Sequence, residues 1–272
     1  MKYLSETFFC VFLLFLEVEA QNGNYVTGAR SMGISGTSIT LSDAFSSFNN
    51  IGALASHKEV DICFSSSLLY GIPELAKIAA CFDGKFLGGV ATLNMYRFGD
   101  ELFNEHKIGL GYSHKIRFVS IGLQVNYIHY RIENYGSTGS VCIEFGGIVH
   151  ICPQILFGAY IFNPTRSNPY PDNISFLPVL LKSGLSYRPV DHLMMNVEYQ
   201  FVVDQNHNLS FGMEYIIREI IALRTGVSLN TLRSTFGIGF KPGRFHLDYA
   251  ADVHPLLGIT HEFSVTLNLE SR

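Results

Sequence analysis

The sequence predicts an all-β fold, a transmembrane antiparallel β-barrel of about 14 strands with an N-terminal plug or hatch segment. Three observations carry this. Of the 272 residues, 47% are hydrophobic but only 15% are charged, well under the usual quarter for a soluble domain. Beyond the first twenty residues, no apolar run reaches the roughly 18 residues that a membrane-spanning helix needs. The apolar residues instead recur in short alternating stretches, rich in Gly (25), Tyr (14) and Phe (22) and separated by turn residues, a strand-and-turn composition.

The N-terminus reads as an export signal. Lys2 supplies a positive start, Phe8 to Leu16 an apolar run, and Val18-Glu19-Ala20 a small-residue cleavage site before Gln21. Residues 1–20 are therefore expected to form a signal peptide. The run is too short for a spanning anchor, and Cys10 lacks the small neighbours of a lipoprotein site. Four cysteines follow: Cys63, Cys81, Cys142 and Cys152. Their spacing matches no zinc pattern.

From residue 59 to 272 one theme repeats, an alternating stretch and then a turn signal. Met195, Val197, Tyr199 and Phe201 point one way, and Asn196, Glu198 and Gln200 the other. Leu209, Phe211, Met213 and Tyr215 oppose Ser210, Gly212 and Glu214 in the same manner. Strands are expected near 59–70, 74–82, 86–97, 105–114, 118–131, 138–149, 154–162, 178–188, 191–204, 207–216, 219–229, 232–241, 243–253 and 259–269. The stretch 154–162 is apolar on both faces, which leaves its orientation open.

A lipocalin-like barrel or β-sandwich would also alternate, with its apolar face inward. A barrel of this strand number is too wide for its own side chains to fill. The inside-out reading instead gives Lys107, Glu144, Lys182, Glu198, Glu214, Arg224 and Asp248 a common hydrated lumen, with Glu214 and Arg224 close to a cross-strand pair. Short turns such as Asp83-Gly84-Lys85 and Arg188-Pro189-Val190 alternate with longer connections at 98–104, 132–137 and 163–177. That asymmetry places the short turns in the periplasm and the chain in the outer membrane of a Gram-negative cell, with membrane lipid as its surroundings.

Cys63 and Cys81 lie equally far from Ile72, so a regular hairpin sets them opposite each other on the lumenal face. An oxidising periplasm allows them to bond.

Several functions are argued against. A net charge of −4 gives no basic footprint for nucleic acid. Gly33-Ile34-Ser35-Gly36 lacks the following Gly-Lys-Ser/Thr of a phosphate loop. No GxSxG elbow and no HExxH pair is present, so neither an enzyme nor a cofactor is expected. Gly109, Gly111, Gly237 and Gly239 fall mid-strand, where glycine marks a bend or a close backbone approach.

Residues 21–58 differ from the rest. Gly28-Ala29-Arg30-Ser31-Met32-Gly33-Ile34-Ser35-Gly36, then Asp43, then Phe48-Asn49-Asn50-Ile51-Gly52-Ala53-Leu54-Ala55 carry turn and cap signals without sustained alternation. The segment reads either as a periplasmic leader or as a plug inside the barrel. These motifs resemble the amino-terminal signature of FadL-like barrels of the PorV/PorQ type, from the Bacteroidota type IX secretion apparatus. There, G-A-R-x-x-G-M-G-G-A leads through an acidic residue to W-N-P-A-G-L-A. The close matches are Gly28, Ala29, Arg30, Gly33, Asp43, Asn49, Gly52, Leu54 and Ala55, with Gly36 counted in the plug motif, while Asn50 stands where the family commonly has Pro. Leu181-Lys182-Ser183-Gly184-Leu185-Ser186-Tyr187 and Phe245-His246-Leu247-Asp248-Tyr249-Ala250 extend the likeness.

The resemblance implies a docking or scaffold component of type IX secretion or surface attachment, contacting secretion-system or secreted proteins. The alternative it leaves open is a FadL-like passive transporter of small hydrophobic molecules.

Overall fold

The computed structural model describes residues 25–57, 59–169, 177–203 and 207–270. The signal peptide expected at 1–20 lies outside the described residues.

Fourteen strands form one closed antiparallel barrel. They are β1 (Asp61–Leu68), β2 (Ala76–Phe86), β3 (Gly89–Gly99), β4 (Phe103–Ile116), β5 (Val119–Ile132), β6 (Gly136–Cys152), β7 (Ile155–Phe162), β8 (Leu180–Val190), β9 (Leu193–Val202), β10 (His207–Ile217), β11 (Ile221–Ser228), β12 (Arg233–Phe240), β13 (Phe245–His254) and β14 (Gly258–Asn268). Each pairs with its sequence neighbours, and β1 closes the ring against β14, from Asp61↔Asn268 to Leu68↔His261.

The radial pattern is the reverse of a soluble protein's. On β4, Leu110 is 66% exposed while Lys107, three residues before it, is at 0%. Phe64, Met95, Leu123, Tyr199, Phe211 and Phe263 likewise face outward and exposed, whereas Gln124, Glu144, Glu198 and Glu262 are buried inside. An apolar exterior band with polar groups turned into the lumen is the arrangement a barrel adopts in lipid. Closure removes every strand edge, so no backbone group of the ladder meets hydrocarbon unpaired.

Two expected loops are replaced by strand. The stretches 98–104 and 132–137 shrink to the turns between Gly99 and Phe103 and between Ile132 and Gly136. Pairing continues past the apolar band, as in Phe98↔Glu105 and Tyr130↔Thr138. Ladder hydrogen bonds form between backbones whatever the side chains, so alternation of hydrophobicity ends before the strand does. The connection between β1 and β2, in contrast, lengthens into two single-turn 3-10 helices, Leu69–Gly71 and Pro73–Leu75.

Strand β7 is apolar on both faces for a reason the lumen supplies. Its inner residues Leu156, Tyr160 and Phe162 pack in clusters with Ala53, Tyr25 and Ile39 of the N-terminal segment. Its outer residues face the lipid side, with Phe157 exposed.

Cys63 and Cys81 are direct register partners, with Cα atoms 5.0 Å apart, and form a disulfide. Cys142 and Cys152 are free thiols. A digest made without reduction should release the Cys63 and Cys81 peptides as one linked species; separate free peptides would reject the bond.

The face assignment has its own test. Val197→Arg, in the lipid-facing row of β9, should cost about 2–4 kcal/mol near the membrane midplane. Gln200→Glu adds a charge on the inner face opposite Lys182 and should cost less than half as much. Urea titrations in lipid vesicles measure both, and equal losses would mean the faces are reversed.

Candidate functional site: a lumen occupied by the N-terminal segment

Residues 25–57 lie inside the barrel. They comprise helix α1 (Ala29–Gly33), helix α2 (Ser46–Asn49) and a 3-10 helix over Ile51–Ser56, joined by turns. The segment runs round the lumen along the wall, against the strand order. It meets β14 at Gly28, β12 at Gly33, β10 and β11 at Ile34, β7 and β8 at Ile39, and β5 and β6 at Ile51 and Gly52.

Close approach is possible because the wall is glycine at these contacts. Three cross-strand glycine pairs face the lumen: Gly212↔Gly226, Gly158↔Gly184 and Gly122↔Gly146. A Cβ at Gly226 would lie 2.6 Å from the Ile34 carbonyl carbon, and one at Gly122 would lie 2.7 Å from that of Ile51. Neither separation is sterically tolerable, so any larger residue must push the segment inward. The segment reciprocates at Gly52, where a Cβ would fall 2.2 Å from the Gly146 carbonyl oxygen.

Polar anchors complete the contact. The helix α1 backbone has orphan N–H groups at its start. Gly28 N–H donates to Glu262 Oε1 at 2.7 Å, and Ala29 N–H donates to Ser264 Oγ at 3.1 Å. Arg30 then reaches the wall as a two-pronged donor. Its Nη2 is 2.6 Å and its Nε 2.9 Å from the Glu214 oxygens, while Nη1 is 3.1 Å from Asp43. Glu214 also receives Arg224 Nε at 2.6 Å, and Arg224 Nη1 is 2.6 Å from Asp248. The result is a chain of alternating charge, Asp43–Arg30–Glu214–Arg224–Asp248. Burial alone lowers the Arg30 pKa, but Glu214 and Asp43 more than offset this and raise it above its ordinary value.

The other expected lumenal charges sit in two further groups. Lys107 Nζ is 3.0 Å from Glu144 Oε1, which also accepts from Asn126 at 2.9 Å. Lys107 lies 4.2 Å from the Tyr25 ring centroid, a cation–π contact. The Tyr25 hydroxyl donates to Glu105. Burial first, and the Glu105 charge second, push its pKa well above the usual value, so it stays a neutral donor. Lys182 and Glu198 are 3.7 Å apart, and Glu198 accepts the Ile39 N–H at 3.0 Å. Ion pairs join all seven of these residues, and protein rather than a hydrated common interior surrounds them. The N-terminal segment covers them, and each group touches it.

The remaining motif residues hold the segment's own shape. Gly36 takes a left-handed turn at φ 74°. Asn49 donates to the Thr27 carbonyl and to Ser31 Oγ, and accepts from the Thr27 N–H. Asn50, where the resembled family has Pro, bridges two elements. Its Nδ2 donates to Ile39 O at 2.6 Å, and its Oδ1 accepts the Gly52 N–H at 3.1 Å.

Sequence reasoning missed Glu262 and Glu105, while Asn196, set on the polar face by alternation, donates to Thr37 O at 2.8 Å. Extending the β14 alternation two residues back from Ser264 would have placed Glu262 inside. Of the mid-strand glycines, Gly237 sits at a close backbone approach, a Cβ there lying 3.1 Å from Gly33 Cα, whereas Gly109 and Gly239 face side-chain ends, Asn126 Oδ1 and Asp248 Oδ1 at 2.4 Å each.

Away from the lumen, an apolar groove of about 640 Å3 indents the lipid-facing wall. Gly147, Ala159 and Ser183, small residues in one cross-strand row, leave the space between Phe145, Phe157 and Tyr199.

Fold and lumen together define a class, a fourteen-stranded barrel of the outer-membrane type with its own N-terminal segment inside. No protein-family model matches the sequence, and no curated protein matches it. Among solved structures, a mutant of the monoaromatic hydrocarbon channel TodX shares the fold with a TM-score of 0.70 at 11% identity, over 89% of this chain and 99% of the other. The toluene transporter TbuX of Ralstonia pickettii gives 0.71 at 10% identity, over 91% and 99%. A FadL homologue of Pseudomonas aeruginosa gives 0.64 at 11% identity, over 92% and 100%. The likeness is one of fold.

If Arg30 secures the segment through Glu214, the two are energetically coupled. A double-mutant cycle of Arg30→Ala and Glu214→Gln should give a coupling of about 1–3 kcal/mol. A value near zero in urea unfolding would make the contact incidental.

Proposed function

We propose that the protein is an outer-membrane channel for small hydrophobic molecules, held closed by its N-terminal segment. The observation that carries this reading is an apolar layer inside the lumen. Tyr96, Ile128, Phe162, Leu180 and Val202 form one buried cluster with Tyr25, and Phe98 and Tyr130 pack against it. These residues lie toward the strand ends that face the longer 163–179 connection. A water-filled porin lumen is polar at such positions; an aromatic layer offers apolar solutes a favourable passage instead. The fold shared with a hydrocarbon channel and a toluene transporter supports the same assignment. Passage requires the segment to move, since Tyr25 fills the layer while Arg30 and Glu198 tether the residues beyond Tyr25 to the wall.

A second reading rests on the match of Gly28–Gly36, Asp43 and Asn49 to the PorV/PorQ-type signature, together with the closely packed lumen. In it the sealed barrel is a docking component of type IX secretion in a Bacteroidota outer membrane, and its outer rim contacts protein partners.

Uptake of a radiolabelled monoaromatic hydrocarbon into proteoliposomes separates the two. The channel reading expects uptake above that of empty vesicles, increased several-fold by Tyr25→Ala. No uptake by either form, with secretion components captured from solubilised outer membranes, would favour docking.

A further inference from the structure

We propose that His57, Glu59 and Asp61 form a binding site for a first-row divalent transition metal ion at the seam where the barrel closes. The three residues alternate along the chain where the N-terminal segment becomes β1. The backbone there is extended at His57 (φ −78°, ψ 123°), and Leu269 N–H donates to Val60 O at 2.8 Å, prolonging the β1/β14 ladder. A bend at Glu59, between His57 and β1, brings the three side chains together. One nitrogen or oxygen from each lies within 4.8 Å of the others. His57 Nε2 is already 2.6 Å from Asp61 Oδ2, and Glu59 accepts from Asn268 Nδ2 of β14.

A second observation points to a cation here. Asp83 on β2 is fully buried and pairs directly opposite Asp61, itself only 1% exposed. Asp61 Oδ1 and Asp83 Oδ1 are both buried without a hydrogen-bond partner. Two like charges opposed across a strand pair repel each other, and buried carboxylates are ordinarily paired or bound to a metal. His57 Nε2 is bonded to Asp61, and one imidazole cannot satisfy two carboxylates.

The donor set selects the metal. An imidazole with two carboxylates suits zinc, manganese or iron; calcium and magnesium prefer oxygen alone. Ligand atoms about 2.0–2.2 Å from a tetrahedral zinc lie roughly 3.4 Å from each other. Closing from the 4.8 Å limit to that distance asks only for modest side-chain adjustment. The ion would join the N-terminal segment to β1 beside its pairings with β2 and β14, and so staple the segment's end to the seam.

The test uses the untagged full chain, folded in detergent and stripped with chelator, titrated calorimetrically with Zn2+. One site per barrel is expected, with the melting temperature rising as Zn2+ is added. His57→Ala and Glu59→Gln should each weaken binding at least tenfold. Glu59→Gln, at a half-buried position, keeps the test decisive where His57→Ala fails to fold. His106 and His129, opposed on the outer wall, are a rival site, so His106→Ala/His129→Ala should bind like the parent. Loss of binding in that double variant but not in Glu59→Gln would overturn the proposal. So would an absence of Zn2+ binding by the parent, or stabilisation by Ca2+ alone.

Discussion

A charge turned into the lumen of a closed barrel must be solvated by something, and here protein does it. Glu214 is the pivot. It sits on β10 between Arg224 of the neighbouring strand and Arg30 of the N-terminal segment, both within 2.9 Å. With Arg224 alone, Glu214 would be half of an ordinary cross-strand ion pair. Arg30 turns the pair into a link between wall and segment, and Asp43 and Asp248 balance the added positive charge. Because such groups are costly to bury unpaired, the wall and the segment are each incomplete without the other.

The same interdependence appears in shape. Glycine is a poor strand residue, since it loses more conformational freedom on folding than others and packs nothing. Yet β5, β6, β7, β8, β10 and β11 each carry one on the lumenal face where the segment crosses. Each removes a side chain at the point where a backbone must pass. Ile34, Ile39 and Ile51 then lie against those positions, and the clusters around them include Met194, Tyr160 and Val90. The segment therefore has a defined path round the wall.

Above that belt the lumen changes character. The inner surface is polar near Gln124, Asn126 and Glu144, and becomes aromatic near Tyr96, Phe98, Tyr130 and Phe162. Tyr25 joins the two zones, its ring against Tyr96 and Phe162, its hydroxyl on Glu105, and Lys107 over its face. A residue that closes an apolar layer with a polar hinge is well placed to govern passage, which ties the channel reading to the same segment that the charges hold. The disulfide between Cys63 and Cys81 ties β1 to β2, so the segment leaves the lumen beside a covalently fixed pair of strands.

Period-two alternation is a local property of the chain, and it is enough to find all fourteen strands, the inner and outer faces of all but β7, and the opposition of Cys63 and Cys81 about Ile72. It also sets Lys107, Glu144, Lys182, Glu198, Glu214, Arg224 and Asp248 on the inward row, because each shares the parity of the inner row of its strand. Strand ends at 98–104 and 132–137 escape it, since backbone pairing outlasts hydrophobic patterning. The partners of those charges are not legible either. Arg30 is 184 residues from Glu214, and Gly28 is 234 from Glu262. No spacing rule connects residues so distant. The sequence by itself determined a barrel with charged groups turned inward; only the closed tertiary structure decided that they pair across the strands beneath its own N-terminal segment, because those contacts exist only once strand curvature brings β14 round to β1.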